Sequence, residues 1–241
     1  MARVKTRAKR QNSKRRLKSQ AKKIITRLRK RFPDPKVELN FDNPLELLVA
    51  TILSAQCTDA RVNLVTRDLF RKYRTASDYA RASTAEFEEE IRPTGFFRSK
   101  AKSIINCCKS IIDEHEGRIP DRMEELVQLP GIGRKTANVI LGQAFNTASG
   151  IVVDTHVQRV SQRLGLTKHS DPEKIEQELL TLVPRKDWID FGTMMVLHGR
   201  YVCLARKPKC PDCLVVGICP SAEIFMREIS LHPPQQRGSK P

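Results

Sequence analysis

Four cysteines crowd into the 17 residues from Cys203 to Cys219, as Cys203, Cys210, Cys213 and Cys219 in the spacing C-x6-C-x2-C-x5-C. Thiolates are soft ligands, and four this close can surround one tetrahedral ion or one iron-sulfur cubane. Structural zinc commonly uses paired C-x2-C knuckles, whereas only Cys210 and Cys213 form a close pair, so spacing alone leaves zinc and iron-sulfur open. A secreted disulfide framework does not fit, because the seven cysteines are odd in number and bunched. Between the first two ligands, Arg206, Lys207 and Lys209 flank a proline; a rigid cluster would hold them out to grip phosphate, while an ordinary charge run is a solvated surface.

The second chemical signal is Leu129-Pro130-Gly131-Ile132-Gly133. Two glycines in so tight a turn point to positive φ or a close backbone approach, leaving amides at the start of the next helix facing outward, where they can bind phosphate without reading sequence. A bare helix connector fits the same residues. Lys135 falls in the first turn after the hairpin, where the positive end of the helix dipole and partial burial favour a neutral, nucleophilic amine. Asp154, in Val153-Asp154-Thr155-His156, directly precedes another helix. In isolation a lysine there is solvated and an aspartate there is an N-cap. His156 and His198 lie in or beside helical patterns and read as structural, hydrogen-bonding histidines.

These residues need helices to position them, and the sequence supplies an all-α pattern. Ile24, Ile25, Leu28 and Phe32 share one helical face, Asn43-Pro44 caps the run Leu45 to Leu53, and Val62, Val65 and Leu69 make a third stripe. Ser83 with Glu86 reads as a capping box ahead of Phe87 and Ile91. Ala101, Ile104, Ile105, Cys108, Ile111 and Ile112 trace a long amphipathic helix. Asp121 with Glu124 opens a short helix to Val127, and Ala137, Ile140, Leu141, Ala144 and Phe145 restart the period after the hairpin. Beyond a short connector at Ile151 to Val153, helices follow around Val157 to Leu164, Ile175 to Val183 and Trp188 to His198. No alternating strand pattern occurs.

The formal charge of +17 is a property of one end: residues 1 to 31 hold 15 Lys or Arg and no acid, leaving 29 basic against 27 acidic residues elsewhere. Residues 1–21 are therefore expected to form a basic disordered tail until they meet a polyanion, nucleic acid being the obvious one. The first 16 residues lack the apolar stripe of an amphipathic transit helix, and no apolar run is long enough to span a membrane. A soluble, cytoplasmic protein is expected.

Leu129 to Ala137 as Leu-Pro-Gly-Ile-Gly-Arg-Lys-Thr-Ala, then Val153 to Val157, then the four cysteines, with Leu53-Ser54-Ala55-Gln56-Cys57-Thr58-Asp59 as a fourth motif, resemble the endonuclease III family of helix-hairpin-helix DNA glycosylases over about residues 22 to 222. That resemblance implies a 4Fe-4S cluster on the four cysteines and a two-domain helix-hairpin-helix glycosylase fold. A six-helix barrel domain (41–150) would stand beside a cluster domain (22–40 and 151–224), with a loose tail at 225–241 and DNA bending across the cleft. It also implies bifunctional chemistry acting as a monomer on double-stranded DNA with a damaged base, an oxidised pyrimidine by family expectation, or an abasic site. The lysine matching Lys135 attacks sugar C1′, the base departs and the imine permits β-elimination, while the aspartate matching Asp154 stays anionic.

By the same resemblance Gln56 fills the gap left by the flipped nucleotide, Phe96 wedges into the opposite strand, Gly131 and Gly133 fix the backbone, and Arg206, Lys207 and Lys209 contact DNA. For Phe96 and Phe97, ordinary core packing competes with the wedge role. Family members often carry a smaller aliphatic wedge, and this chain also departs in its Cys57 and its long basic extension. Two other readings remain. A monofunctional glycosylase of the same superfamily is disfavoured by Lys135 and by the lack of a further C-terminal domain. A non-catalytic iron-sulfur DNA-binding protein is disfavoured by the Lys135 and Asp154 pair.

Overall fold

A computed structural model describes residues 2–231 and, among them, shows helices and turns with no strand. Helix α1 runs Ala2–Arg31. Residues 2–21, expected to be disordered, are thus helical. No glycine or proline interrupts the run, and Lys, Arg, Ala, Gln and Leu are good helix formers, so helix nucleated where Ala21, Ile24, Ile25 and Leu28 are buried can propagate back through the charged stretch. No described helix is long and apolar enough to cross a membrane.

The chain divides into two compact units, one of residues 36–149 and one of residues 1–35 with 150–241. The break near residue 35 precedes the expected one near 40 for a local reason. Leu39 is buried in the core of the 36–149 unit, and Asn63 fastens the segment by donating to the Glu38 carbonyl at 2.8 Å and accepting from the Asn40 N–H at 2.9 Å.

Within residues 36–149 lie α2 (Pro44–Leu53), α3 (Asp59–Lys72), α4 (Ala76–Ala80), α5 (Thr84–Ile91), α6 (Phe97–His115), α7 (Met123–Leu126) and α8 (Arg134–Ala144). The Asn43 side chain caps α2 by accepting from the Glu46 N–H at 3.0 Å, with Pro44 at the first helical position. Ser83 precedes α5 as expected but makes no side-chain cap bond, so the capping box there is not formed; Thr75 and Asp78 form one on α4 instead. The α6 stripe at Ala101, Ile104, Ile105, Cys108 and Ile111 is buried and meets Tyr79, Phe87 and the apolar face of α2. Each large side chain removed from water there contributes roughly 1.5–3 kcal/mol.

The other unit holds α1 with α9 (Thr155–Arg163), α10 (Pro172–Leu182), α11 (Trp188–Tyr201) and α12 (Ala222–Leu231). Ile24 and Leu28 pack with Val160, Ile175, Leu179, Phe191 and Met195. Helices α9 and α11 approach closely at Gly199, where a Cβ would lie 2.8 Å from that of His156. The tail expected from residue 225 begins inside α12, and its residues beyond 231 lie outside the described residues.

Candidate functional site

The hairpin between α7 and α8 is pinned by two buried side chains, Leu129 and Ile132, and by the Ile132 N–H donating to the Leu129 carbonyl at 3.0 Å. Its two glycines do different work. Gly131 has φ +81°, and a Cβ there would sit 2.9 Å from that of Ser103 on α6, so both backbone sign and close approach demand glycine. Gly133, expected to need glycine for the same reasons, has φ −89° and open space around the Cβ position. It is the N-cap of α8 and supplies no side-chain bond to the first-turn amides. Neither backbone sign nor a close approach among the described residues demands glycine there. Lys135 is exposed rather than partly buried, because α8 turns Ala137, Asn138, Ile140 and Leu141 inward and leaves its first turn facing solvent.

Two further loops in this unit carry exposed residues in the left-handed region. Gln56 has φ +53° and Phe96 φ +47°, conformations costing a non-glycine residue roughly 1–3 kcal/mol and concentrated at functional sites. Phe96 is 64% exposed, whereas Phe97 packs against the core with the Arg92 and Arg98 guanidiniums 5.4 and 5.6 Å from its ring. Core packing thus describes Phe97 and not its neighbour. Cys57, next to Gln56, is half-buried against the same core.

In the other unit, Asp154 is half-buried and caps α9, its carboxylate accepting from the Val157 N–H at 2.8 Å. His156 Nδ1 lies 3.2 Å from an Arg159 guanidinium nitrogen, and burial holds its affinity for a proton below the ordinary histidine value. His198 is buried, and burial with the nearby Arg31 charge pushes its pKa down to about 4. It keeps one hydrogen bond, between its Nε2 and Cys213 Sγ at 3.7 Å, while its Nδ1 has no partner among the described residues.

Cys203, Cys210, Cys213 and Cys219 are half-buried and line one cavity with His198 and Phe225. Burial raises the thiols of Cys210, Cys213 and Cys219, that of Cys213 to about 11. Among the described residues no three of His, Cys, Asp or Glu converge tightly enough to hold a single metal ion. In the loop after Cys203, Pro208 is buried while Arg206, Lys207 and Lys209 are exposed, and Lys207 has φ +53°.

The motifs and folds compare closely with known proteins. Residues 49–185 match the family described as HhH-GPD superfamily base excision DNA repair protein. Over 206 residues the chain is 52% identical to Endonuclease III of Synechocystis sp., covering 86% of this chain and 94% of that one. Over 196 residues it is 41% identical to Endonuclease III of Escherichia coli, covering 81% and 92%.

This chain belongs to the endonuclease III family.

A solved non-covalent endonuclease III–DNA complex superposes on this family member with a TM-score of 0.83 at 44% identity, covering 87% of this chain and 98% of that one. A trapped endonuclease III–DNA covalent intermediate gives 0.82 at the same identity, covering 87% and 99%. A thermostable thymine-DNA glycosylase, 22% identical with a TM-score of 0.78, shares the fold.

Three positions of this endonuclease III chain escaped sequence reasoning. Arg163 donates to the Leu204 and Ala205 carbonyls at 2.7 and 2.9 Å and to Cys203 Sγ at 3.3 Å, with Phe225 stacked over its guanidinium. Arg159, one turn earlier on α9, donates to the Cys203 carbonyl and, at 2.8 Å, to that of Gly199. Their i,i+4 spacing hints at a shared face, but their partners lie some 40 residues away and leave no local signal. The third is Lys100, which is buried on α6.

Proposed function

We propose that this endonuclease III chain is a bifunctional base-excision repair enzyme that releases damaged bases from double-stranded DNA and then cuts the abasic strand. The observation that carries the reading is Lys135, exposed in the first turn of α8 directly after the Gly131–Gly133 hairpin, with Asp154 as the matching carboxylate. The lysine amine attacks sugar C1′. The carbon–nitrogen bond to the base breaks, the base leaves with its electron pair and takes up a proton, and the hemiaminal that remains opens to an imine as its C1′–O4′ bond breaks and O4′ takes up a proton to become a hydroxyl. Loss of a C2′ proton then expels the 3′ phosphate by β-elimination. The Asp154 carboxylate stabilises positive charge on the sugar as the base departs and assists deprotonation of the lysine.

Chemistry at C1′ needs the nucleotide out of the stack. Hairpin amides hold the phosphate, Gln56 occupies the gap and Phe96 enters the opposite strand. Their exposed positions and left-handed backbone conformations support this. Open space at Gly133 likewise suits a phosphate approaching the backbone.

Cys203, Cys210, Cys213 and Cys219 fit a 4Fe-4S cluster. The donor set is four soft thiols around one cavity, and these four residues would hold the cluster. When bound, it would give a rigid anchor to the loop in which Arg206, Lys207 and Lys209 are exposed for contact with phosphate. The basic face of α1 adds sequence-independent attraction to the duplex. The protein acts as a monomer in the cytoplasm, on oxidised pyrimidines and abasic sites.

Strand cleavage without alkali on a duplex holding one oxidised pyrimidine tests this reading. The intact chain is expected to release the base and nick the strand, and Lys135→Gln to do neither at a comparable rate. Base release without nicking by the intact chain would make it monofunctional, and inactivity on that duplex and on a plain abasic one would make it a binding protein.

A further inference from the structure

The ammonium of Lys100 is a buried charge that the mechanism above does not use. The residue is 5% exposed and sits on α6, four residues after Phe96. Its Nζ donates to the Leu53 carbonyl and to the Thr94 carbonyl, both at 2.8 Å. Burial lowers its affinity for a proton, and the two carbonyls offset that cost.

Both acceptors occupy equivalent places. Leu53 is the last residue of α2, and Thr94 the last of the single helical turn Arg92–Thr94. A carbonyl at a helix end lacks an intrahelical partner and sits at the negative pole of the helix. Three residues beyond the first comes Gln56, and two beyond the second comes Phe96, both exposed and both at positive φ. One ammonium therefore joins the roots of the two strained loops.

We propose that Lys100 is a positioning residue that fixes the spacing and orientation of Gln56 and Phe96, so that the gap-filling and wedging side chains enter the duplex together. This rests on the reading of Gln56 and Phe96 given above. Lys100 reaches neither DNA nor the reacting sugar. It holds the two loops as a crosspiece, and without it each relaxes independently out of its left-handed conformation.

The role separates two activities. Removing a base from a duplex requires both side chains in place against the stack. Cleaving an abasic site in a single-stranded oligonucleotide requires Lys135 chemistry but neither gap nor opposite strand. Lys100→Met keeps the length and apolar stem of the side chain and removes both hydrogen bonds. It is expected to slow single-turnover base release from duplex by ~10- to 100-fold, the scale of a misplacement of about 1 Å. Cleavage of the single-stranded abasic oligonucleotide is expected to change less than about threefold. A 2-aminopurine opposite an abasic site, whose fluorescence reports unstacking, should brighten on binding the intact chain and much less on binding Lys100→Met. In a Gln56→Ala, Phe96→Ala background, adding Lys100→Met should slow base release no further.

Base release by Lys100→Met at the intact rate, or equal losses on duplex and single strand, would overturn the proposal. If Lys100→Met fails to unfold cooperatively, Lys100→Gln, which keeps one donor, replaces it in the same assays; collapse of both would assign Lys100 to the core alone and overturn it as well. Should Gln56→Ala and Phe96→Ala leave duplex base release unchanged, the failure lies in the insertion reading rather than in Lys100.

Discussion

The two hairpin glycines separate folding from DNA contact, and alanine at each should show it. At Gly131 an alanine must adopt φ +81°, costing about 1–2 kcal/mol, with its Cβ 2.9 Å from that of Ser103. That neighbour is a Cβ on α6 rather than the end of a flexible chain, so hairpin and helix must part, at the ~1–3 kcal/mol typical of overpacking. Gly131→Ala should therefore lose about 2–5 kcal/mol, a fall in Tm of roughly 4–20 °C in a protein of this size.

At Gly133 the backbone is extended and the space open. The slightly poorer N-cap and the reduced freedom of the unfolded chain nearly cancel, and Gly133→Ala should stay within ~0.5 kcal/mol of the parent. It should nevertheless bind an abasic duplex about tenfold more weakly, because the new methyl stands where phosphate approaches, at the expense of one charge-assisted hydrogen bond. Urea unfolding and a fluorescence-anisotropy titration measure the two effects. A cycle with Ser103→Gly isolates the contact: it should recover the overlap and leave the left-handed cost. Equal stability losses at the two glycines, or a Gly131→Ala loss under ~0.5 kcal/mol, would refute the reasoning.

Asp154→Asn keeps an acceptor for the Val157 N–H and should match the parent in stability, while Asp154→Ala should lose about 1 kcal/mol; both should lose base release in single turnover if the charge is what acts. Burial pushes the Cys107 thiol up to about 12 and Cys108 higher still. Above pH 8.5 the unfolded chain sheds thiol protons that the folded chain retains, so stability should fall with rising pH by up to about 1.4 kcal/mol per unit per thiol, a slope that Cys107→Ala, Cys108→Ala should lack in urea unfolding. Removing residues 2–16, which carry eight Lys or Arg, leaves the anchors Leu17, Gln20 and Ala21 in place and should flatten the dependence of duplex affinity on salt. An unchanged slope would detach α1 from DNA.

Local chemistry was legible in the sequence, and long-range chemistry was not. The Leu129–Gly133 turn and the 3.6-residue stripes each lie within one short stretch and led to the observed turn and helices, and the cysteine spacing led to four side chains that line one cavity. Lys100 reads as one more cation near the start of an amphipathic helix, because its acceptors at Leu53 and Thr94 become neighbours only through folding. Charge repulsion in residues 2–21 argued for disorder, yet a helix anchored at Ala21 to Leu28 propagates through residues that contain no breaker. Ser83 has the residue type of a capping box without the bond, since cap formation depends on the path by which the chain enters the helix. The motif alone could not divide the roles of Gly131 and Gly133, because only the fold sets Ser103 against one and open space around the other.

The most direct test of the central claim is to trap the reaction on an abasic duplex with borohydride and map the adduct by peptide mass spectrometry. A reduced sugar adduct is expected on the peptide containing Lys135, and none with Lys135→Gln. An adduct on another lysine or on the chain's α-amine, persisting in Lys135→Gln, would contradict it.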